Sequence, residues 1–379
     1  MKKLLKVLYK LLRLTFITIV VIAIATTIII KTSGDPDFKA TNLNLSTAFI
    51  ESDYFKIQKQ SLPDYYRSEE QTILTIPEWY LVFNPNEYAE FLAGNNNPSD
   101  FPFMKSIDEY WKLYDRAVIT SRAYGVSNDE YITMLNVIGI STTIEYMLKS
   151  VYENTIGRAS RWTSDSLKTK EEEIIAAAHK DYSNEIYDKV WYVFDFSKWV
   201  HRLWTETSFL GDNFIRRTER KLSFTLEFGF KTAYAKLISY AAEATAEEEH
   251  SGLIYLEVTL PSNTTITYPP TIKQIQHEGN LALLSSPRWA PFTRALPALL
   301  DAGIIINNIS GNGEIAVSYI ENVKKQSHNI GGSQLLFHSD IVTNTNKLRK
   351  ISMVKVSQLG QFLKELSDSS AFLEHIYDY

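Results

Sequence analysis

Residues 1–30 read MKKLLKVLYKLLR-LTFITIVVIAIATTIII, and the contrast between the two halves decides how the rest of the chain is arranged. Met1–Arg13 carries Lys2, Lys3, Lys6, Lys10 and Arg13 and no acid. Leu14–Ile30 is uncharged and dominated by Ile, Val and Thr. With Leu11 and Leu12 added, it approaches the ~20 residues that cross a hydrocarbon core as a helix. β-branched residues are tolerated there, because in lipid the backbone must satisfy its own hydrogen bonds. Cations ahead of an apolar span hold that end in the cytoplasm. The expectation is a signal anchor: a cytoplasmic basic tail at 1–13, a transmembrane helix at 14–30, and everything later outside. The competing reading, a cleaved signal peptide, lacks a small-residue cleavage site near Thr26–Ser33. No later stretch offers a second long run free of charge.

Outward from the anchor, 45% hydrophobic and 22% charged residues are globular proportions, sufficient for a real core. A net charge of -5 opposes a general nucleic-acid binder, which needs a basic surface for phosphates. With no cysteine, disulfides, thiolate nucleophiles and Cys-ligated metals are excluded.

Residues 31–76 are mixed and polar and read as a linker with one or two short helices. Residues 77–246 read as a helical domain. Asn84-Pro85 has the form of an N-cap followed by proline in the first turn. Ser127-Asn-Asp-Glu130 is a capping box that starts another helix. Two stripes have the spacing of buried faces: Val137, Ile140, Ile144, Met147 or Leu148, and Val151, then Leu222, Leu226, Gly229, Ala233, Leu237, Tyr240 and Ala244. Residues 253–379 alternate strand signals with helices and read as an α+β domain. Ser310-Gly-Asn-Gly313 marks a hairpin between Ile304–Ile309 and Glu314–Ile320. Ala371–Tyr377 reads as a closing helix, and no internal repeat is visible.

Candidate chemistry is sparse. His338-Ser-Asp340 puts an imidazole and a carboxylate on one face of a strand, and His375 would have to complete a metal triad. A solvated strand face is the simpler reading, so neither metal nor cofactor is expected. Glu145, Lys149 and Glu153 recur at helical spacing, suggesting either acid/base work on a sugar or a charge ladder. Gly311-Asn-Gly313-Glu-Ile-Ala316 has a dinucleotide-like spacing, but a strand follows where a helix is required. Aromatics from Trp191 to Phe209, with Trp199 central, precede Arg216, Arg217 and Arg220. Together they make a candidate membrane or partner surface, or else a domain core. The function expected is a non-enzymatic binding or scaffolding module of the cell envelope, touching lipid or another envelope protein. An envelope hydrolase using Glu145, His338 and Asp340 is the alternative.

Overall fold

The computed structural model describes residues 2–41, 53–62, 64–165, 168–245, 252–262, 266–324 and 330–379. It has a mainly helical N-terminal part and a C-terminal region of two sheets. Helices α1 (Lys2–Thr32), α2 (Lys56–Ser61), α3 (Gln71–Ala93), α4 (Phe103–Ala123) and α5 (Asp129–Tyr152) come first. A π-helical turn at Glu153–Gly157 joins α5 to α6 (Arg158–Arg161), and α7 (Lys170–Glu185), α8 (Phe196–Glu206) and α9 (Phe214–Thr245) follow. Among the described residues no helix is both long and apolar enough to cross a membrane. Of the expected span 14–30, the side chains of 14–16 and 19 lie outside the described residues.

Local signals cap two helices, on α5 one residue past the expected Ser127 and without the box to Glu130, and on α7 at a pair not among those expected. Asn128 caps α5 by accepting from the Tyr131 N–H at 3.0 Å. Thr169 and Glu172 form a reciprocal capping box on α7. At Asn84-Pro85 the expectation fails, because α3 runs through both Pro77 and Pro85. Asn84 is fully buried, donating to Tyr80 and Ser106 and accepting from Tyr146 Oη at 2.8 Å. Packing between α3, α4 and α5 therefore overrides the local stop signal.

The strands are β1 (Leu253–Thr259), β2 (Lys273–Glu278), β3 (Leu281–Pro287), β4 (Ile305–Ile309), β5 (Glu314–Asn322), β6 (Ser333–Asp340), β7 (Lys347–Lys355) and β8 (Phe372–Ile376). Helix α10 (Ala290–Asp301) precedes β4, and α11 (Leu359–Asp368) precedes β8. One sheet has the order β2-β3-β1-β4 and the other β6-β7-β5-β8. The region is thus one βββαβ unit built twice. Irregularities repeat as well. The bulge at Glu257/Val258 recurs 61 positions on at Ser318/Tyr319, and that at Gln274/Gln276 recurs 61 positions on at Leu335/Phe337. Little side-chain identity accompanies this repeat, which is why it is invisible in the sequence.

Two expectations are corrected. β4 and β5 are not a hairpin, since β4 pairs with β1 while β5 pairs with β7 and β8. Ser310 and Gly311, at φ 50° and 79°, pass the chain from one sheet to the other, and the Ser310 N–H is held by the Tyr255 carbonyl. Residues 372–376 form a strand rather than a helix, because they fill the open edge of β5.

Alternation along β5 joins the two parts of the molecule. Ile315, Val317 and Tyr319 enter a core shared by both sheets, α10 and α11. Ala316, on the opposite face, joins a second core with Ile73, Tyr80, Phe83, Tyr110, Leu336, Ile351 and Met353. Arg349 on β7 crosses that second core. It reaches Glu374 at 2.6 Å and Glu87 of α3 at 3.2 Å, and its guanidinium lies 4.6 Å from the Phe83 ring centre. Removing one partner of such a buried set strands the others. Arg349→Ala is expected to cost about 3–5 kcal/mol in urea or thermal unfolding, whereas Lys347→Ala on the same strand's exposed end should cost little.

Candidate functional site

The polar side chains that could carry chemistry fall into separate clusters. Glu145 and Lys149 on α5 face Glu227 and Lys231 on α9. Lys149 Nζ lies 3.0 Å from Glu145 and 2.8 Å from Glu227, and Lys231 Nζ lies 3.2 Å from Glu145. Glu145 is therefore not a free acid: against the effect of burial, Lys231 and Lys149 hold it well below the usual carboxylate range. Burial alone would also raise Glu227, but Lys149, His179 and Lys231 bring it down to about 2. A carboxylate clamped between two ammonium groups neither donates nor takes a proton near neutral pH. His179 of α7 stands beside this cluster, 3.9 Å from Glu227 and edge-on to Tyr88 and Phe228. Burial pushes its imidazole down to about 4, so it is neutral.

Of the two readings of Trp199, Arg216, Arg217 and Arg220, surface or domain core, their burial fits the core. Trp199 is buried with Phe196, Leu203 and Phe228, and its indole N–H donates to Asp181 at 3.0 Å. Arg216 is fully buried, bonded to Glu172, to the Gly157 carbonyl at 2.8 Å and to Ser160. Arg217 pairs with Glu171 at 3.0 Å, and Arg220 with Glu219 and with Glu153 at 3.0 Å. These arginines follow an aromatic run in the sequence, but each has found an acid on another helix. The acids Glu153, Glu171 and Glu172 are distant in sequence, so only the fold could reveal the pairing. A cavity of about 50 Å³ beside them, lined by Asn96, Arg161, Lys168 and Glu172, has room for a water or two rather than for an organic ligand.

His338 and Asp340 lie on β6, where Asp340 pairs with Lys105 at 3.1 Å and the His338 carbonyl accepts from Arg116. His375 cannot join them. It lies on β8 at the opposite edge of the same sheet, three strand spacings or roughly 14 Å away. There it is buried against the Trp79 ring at 3.5 Å, with Nδ1 3.0 Å from Thr293 Oγ1. Among the described residues no group of three or more His, Asp or Glu could hold a metal ion.

What sequence periodicity misassigned is the outer surface. Val137, Ile140, Leu148 and Val151 are exposed and Ile144 is half-buried, while α5 buries Ile132, Leu135, Gly139, Thr143, Tyr146 and, of the stripe's two alternatives, Met147. On α9 the same inversion holds: Leu222, Leu226, Gly229, Ala233, Leu237 and Tyr240 are exposed, while Phe224, Phe228 and Ala235 are buried. Ala244 lies where side chains are not described. A Cβ placed on Gly229 would meet nothing within 4 Å. Both helices are apolar on two sides, and only one side is used by the fold. Compared with protein families, curated proteins and solved structures, the chain matches none.

Two outcomes follow from these clusters. Trp199→Ala should cost roughly 3–5 kcal/mol of stability, read from urea denaturation, because it empties a closed aromatic site and orphans Asp181. The second concerns pH. In the unfolded chain His179 has its ordinary value near 6.5, above its folded value of about 4, so the unfolded state takes up the proton first as pH falls. Stability from this group is complete above pH 6.5 and is lost as pH falls towards 4, by up to about 3 kcal/mol. His179→Phe, which suits the aromatic surroundings, should remove that part of the acid loss. The thermal midpoint measured for both proteins across this range reads the difference.

Proposed function

We propose that this chain is a single-pass membrane protein of the cell envelope, with residues 1–13 in the cytoplasm and the folded part outside, periplasmic if the cell is Gram-negative. It works as a non-enzymatic binding or scaffolding module, anchored by residues 14–30, and its partner is a lipid or another envelope protein. The observation that carries this reading is the charge asymmetry around the uncharged run Leu14–Ile30. The exposed apolar faces of α5 and α9 support it further, since contiguous apolar surface of this kind marks interaction sites. A hydrolase reading would need Glu145, His338 and Asp340 to converge. Glu145 is tied into ion pairs on α5, and the other two lie on β6.

A reporter enzyme that is active only after export, fused after Tyr379, should be active. A cytoplasm-dependent reporter at the same place should be silent, and the reverse pattern would overturn the orientation. The full chain should stay in the membrane pellet after an alkaline carbonate wash. Release into the supernatant would argue for cleavage of the anchor or for its absence.

A further inference from the structure

Helices α5 and α9 are bridged by side-chain ion pairs and run antiparallel. Glu145 meets Lys231, Lys149 meets Glu227, and Glu153 meets Arg220, so contacts climb one helix as they descend the other. Both helices send their buried residues inward from this seam, Ile132, Leu135 and Tyr146 from one, Phe224 and Phe228 from the other. In an antiparallel pair with a shared seam and a shared inward side, the two remaining faces point outward together. That combined face has an unusual composition. From Tyr131 to Ile156 the exposed residues include Met134, Val137, Ile140, Leu148 and Val151, and none is charged. From Phe214 to Ala235 they include Ile215, Leu222, Leu226 and Phe230, and again none is charged. The charges that do occur over these ranges turn to the seam or the interior and are paired.

Helix α1 adjoins the same region. Ile22, Ala25, Ile29 and Ile30 pack on the core that contains Tyr110, Trp111 and Met147, and Thr26 is buried. Its far side, Ile17, Val20, Val21, Ile24 and Ile28, is exposed. Beyond its end, the Asp35 N–H donates to Asp115 at 2.8 Å and Arg116 pairs with Asp35 at 2.7 Å, so the helix is fastened to α4. An anchor held in this way leaves no slack between bilayer and domain. Covering Ile22–Ile30 with protein draws the α4/α5 edge in by about 12 Å at 1.5 Å per residue.

We propose that the joint outward face of α5 and α9 is a second membrane contact, lying in the plane of the bilayer with its apolar side chains among the acyl chains. Its occupant is lipid. From Tyr131 to Tyr152, roughly 33 Å of helix, no exposed residue of α5 is charged, and its exposed charges are confined to Asp129 and Glu130 in the first turn. A water-facing surface of that length would carry lysines and glutamates. Pairing every charge away from the apolar side is what hydrocarbon demands of ionisable groups. At the end where α5 finishes and α9 begins, Trp162 is 81% exposed and Phe209 54% exposed, side chains that favour the water–lipid boundary. An amphipathic face of this kind sinks ~5–10 Å into the headgroup boundary, compatible with the depth drawn from α1. The depth argument rests on the anchor reading, whereas the composition of the face does not.

The chain has no cysteine, so a single introduced one reports one site. Leu148→Cys and Leu226→Cys test the face, Val21→Cys tests the anchor, and Glu278→Cys on β2 serves as a control. Each full-length variant carries an environment-sensitive fluorophore and is reconstituted into phosphatidylcholine–phosphatidylglycerol vesicles with or without nitroxide-labelled acyl chains. All four positions are at the surface, so thermal midpoints should match wild type. If a face variant melts early, Val151→Cys or Phe230→Cys replaces it. Emission from the two face sites should fall roughly two-fold or more with nitroxide lipid, while Glu278→Cys is unchanged. Face sites that ignore nitroxide lipid overturn the proposal. Iodide then tells a face open to water, which it quenches, from one covered by a second copy or another protein, which it does not. Val21→Cys is scored separately: quenched there but not on the face, the anchor stands and the second contact falls. Quenched on the face but not at Val21, the contact stands and the anchor falls.

Discussion

Arg349 ties the molecule together through a constraint that few side chains impose. A buried guanidinium cannot shed its charge, so it must keep acids close, and here they come from two directions. Glu374 belongs to β8, within the same sheet, while Glu87 belongs to α3 in the helical part. The pairing is imperfect for Glu87, whose carboxyl is pushed up to about 7 by burial even though Arg349 pulls the other way. This is better read as a device that fixes orientation than as a source of net stability, since desolvation offsets much of what such a set gains. Around it Phe83, Tyr80, Ile351 and Met353 close a core drawn from both parts of the chain. A boundary near residue 250 is therefore real in composition and secondary structure, but hydrophobic burial runs straight across it.

The doubled βββαβ unit explains how one short sequence region covers so much surface. Each four-stranded sheet has a helix against it, and the two helices with one face of each sheet bury a common core. That leaves each sheet a second face to cover. On the second sheet α3 and α4 do so, with Phe337 and Val342 beneath them. On the first, Phe55 and Tyr65 from the segment between α1 and α3 pack on Tyr255 and Leu283. Lys59 of α2 there reaches the buried Glu257 at 2.6 Å. The stretch that reads as a linker is thus partly a lid on the first sheet, with Lys59 buried and paired while Asp53, Lys56, Gln60, Asp64 and Glu69 stay exposed. Residues 42–52 of it lie outside the described residues.

Much of the architecture was legible because its signals are local. The start of α5 near Ser127–Glu130 and the change from helical to strand patterning near residue 250 depend on residues a few positions apart. Most of the misreadings involve long-range competition. Pro85 is read as a helix start until Asn84 is seen hydrogen-bonded to two other helices. Residues 372–376 are read as helix until an unfilled strand edge is available to them. Ser310–Gly313 carries the composition of a hairpin turn, yet β4 finds its partner in β1, because the repeat requires each unit to close its own sheet. Arg216 and Arg220 look like a basic surface because Glu172 and Glu153, which pair with them, are remote in sequence, and Glu219, at i,i+3 from Arg216, is not read as their partner. The candidate chemistry at His338 and Asp340 fails for a topological reason, since β7 and β5 stand between them and His375.

The inverted stripes of α5 and α9 fail for a different reason, one that bears on function. Helical periodicity finds an apolar face and infers that protein covers it, because in water the alternative is costly. That inference holds only if the surrounding solvent is water everywhere. On α5 the sequence supplies two apolar faces, and the fold takes the one containing Gly139, whose missing side chain admits the rings of Tyr110 and Trp111. Packing of shape decides which face goes inward, and the other face, more aliphatic and more regularly spaced, remains outside. Leaving Val137, Leu148, Val151, Leu222, Leu226 and Phe230 in water would forgo roughly 1.5–3 kcal/mol for each. A chain under ordinary constraints would have replaced some of them with charge. Their joint place on one side of an ion-paired helix pair, beside an apolar N-terminal helix fastened to α4, is the observation on which the proposed bilayer contact rests.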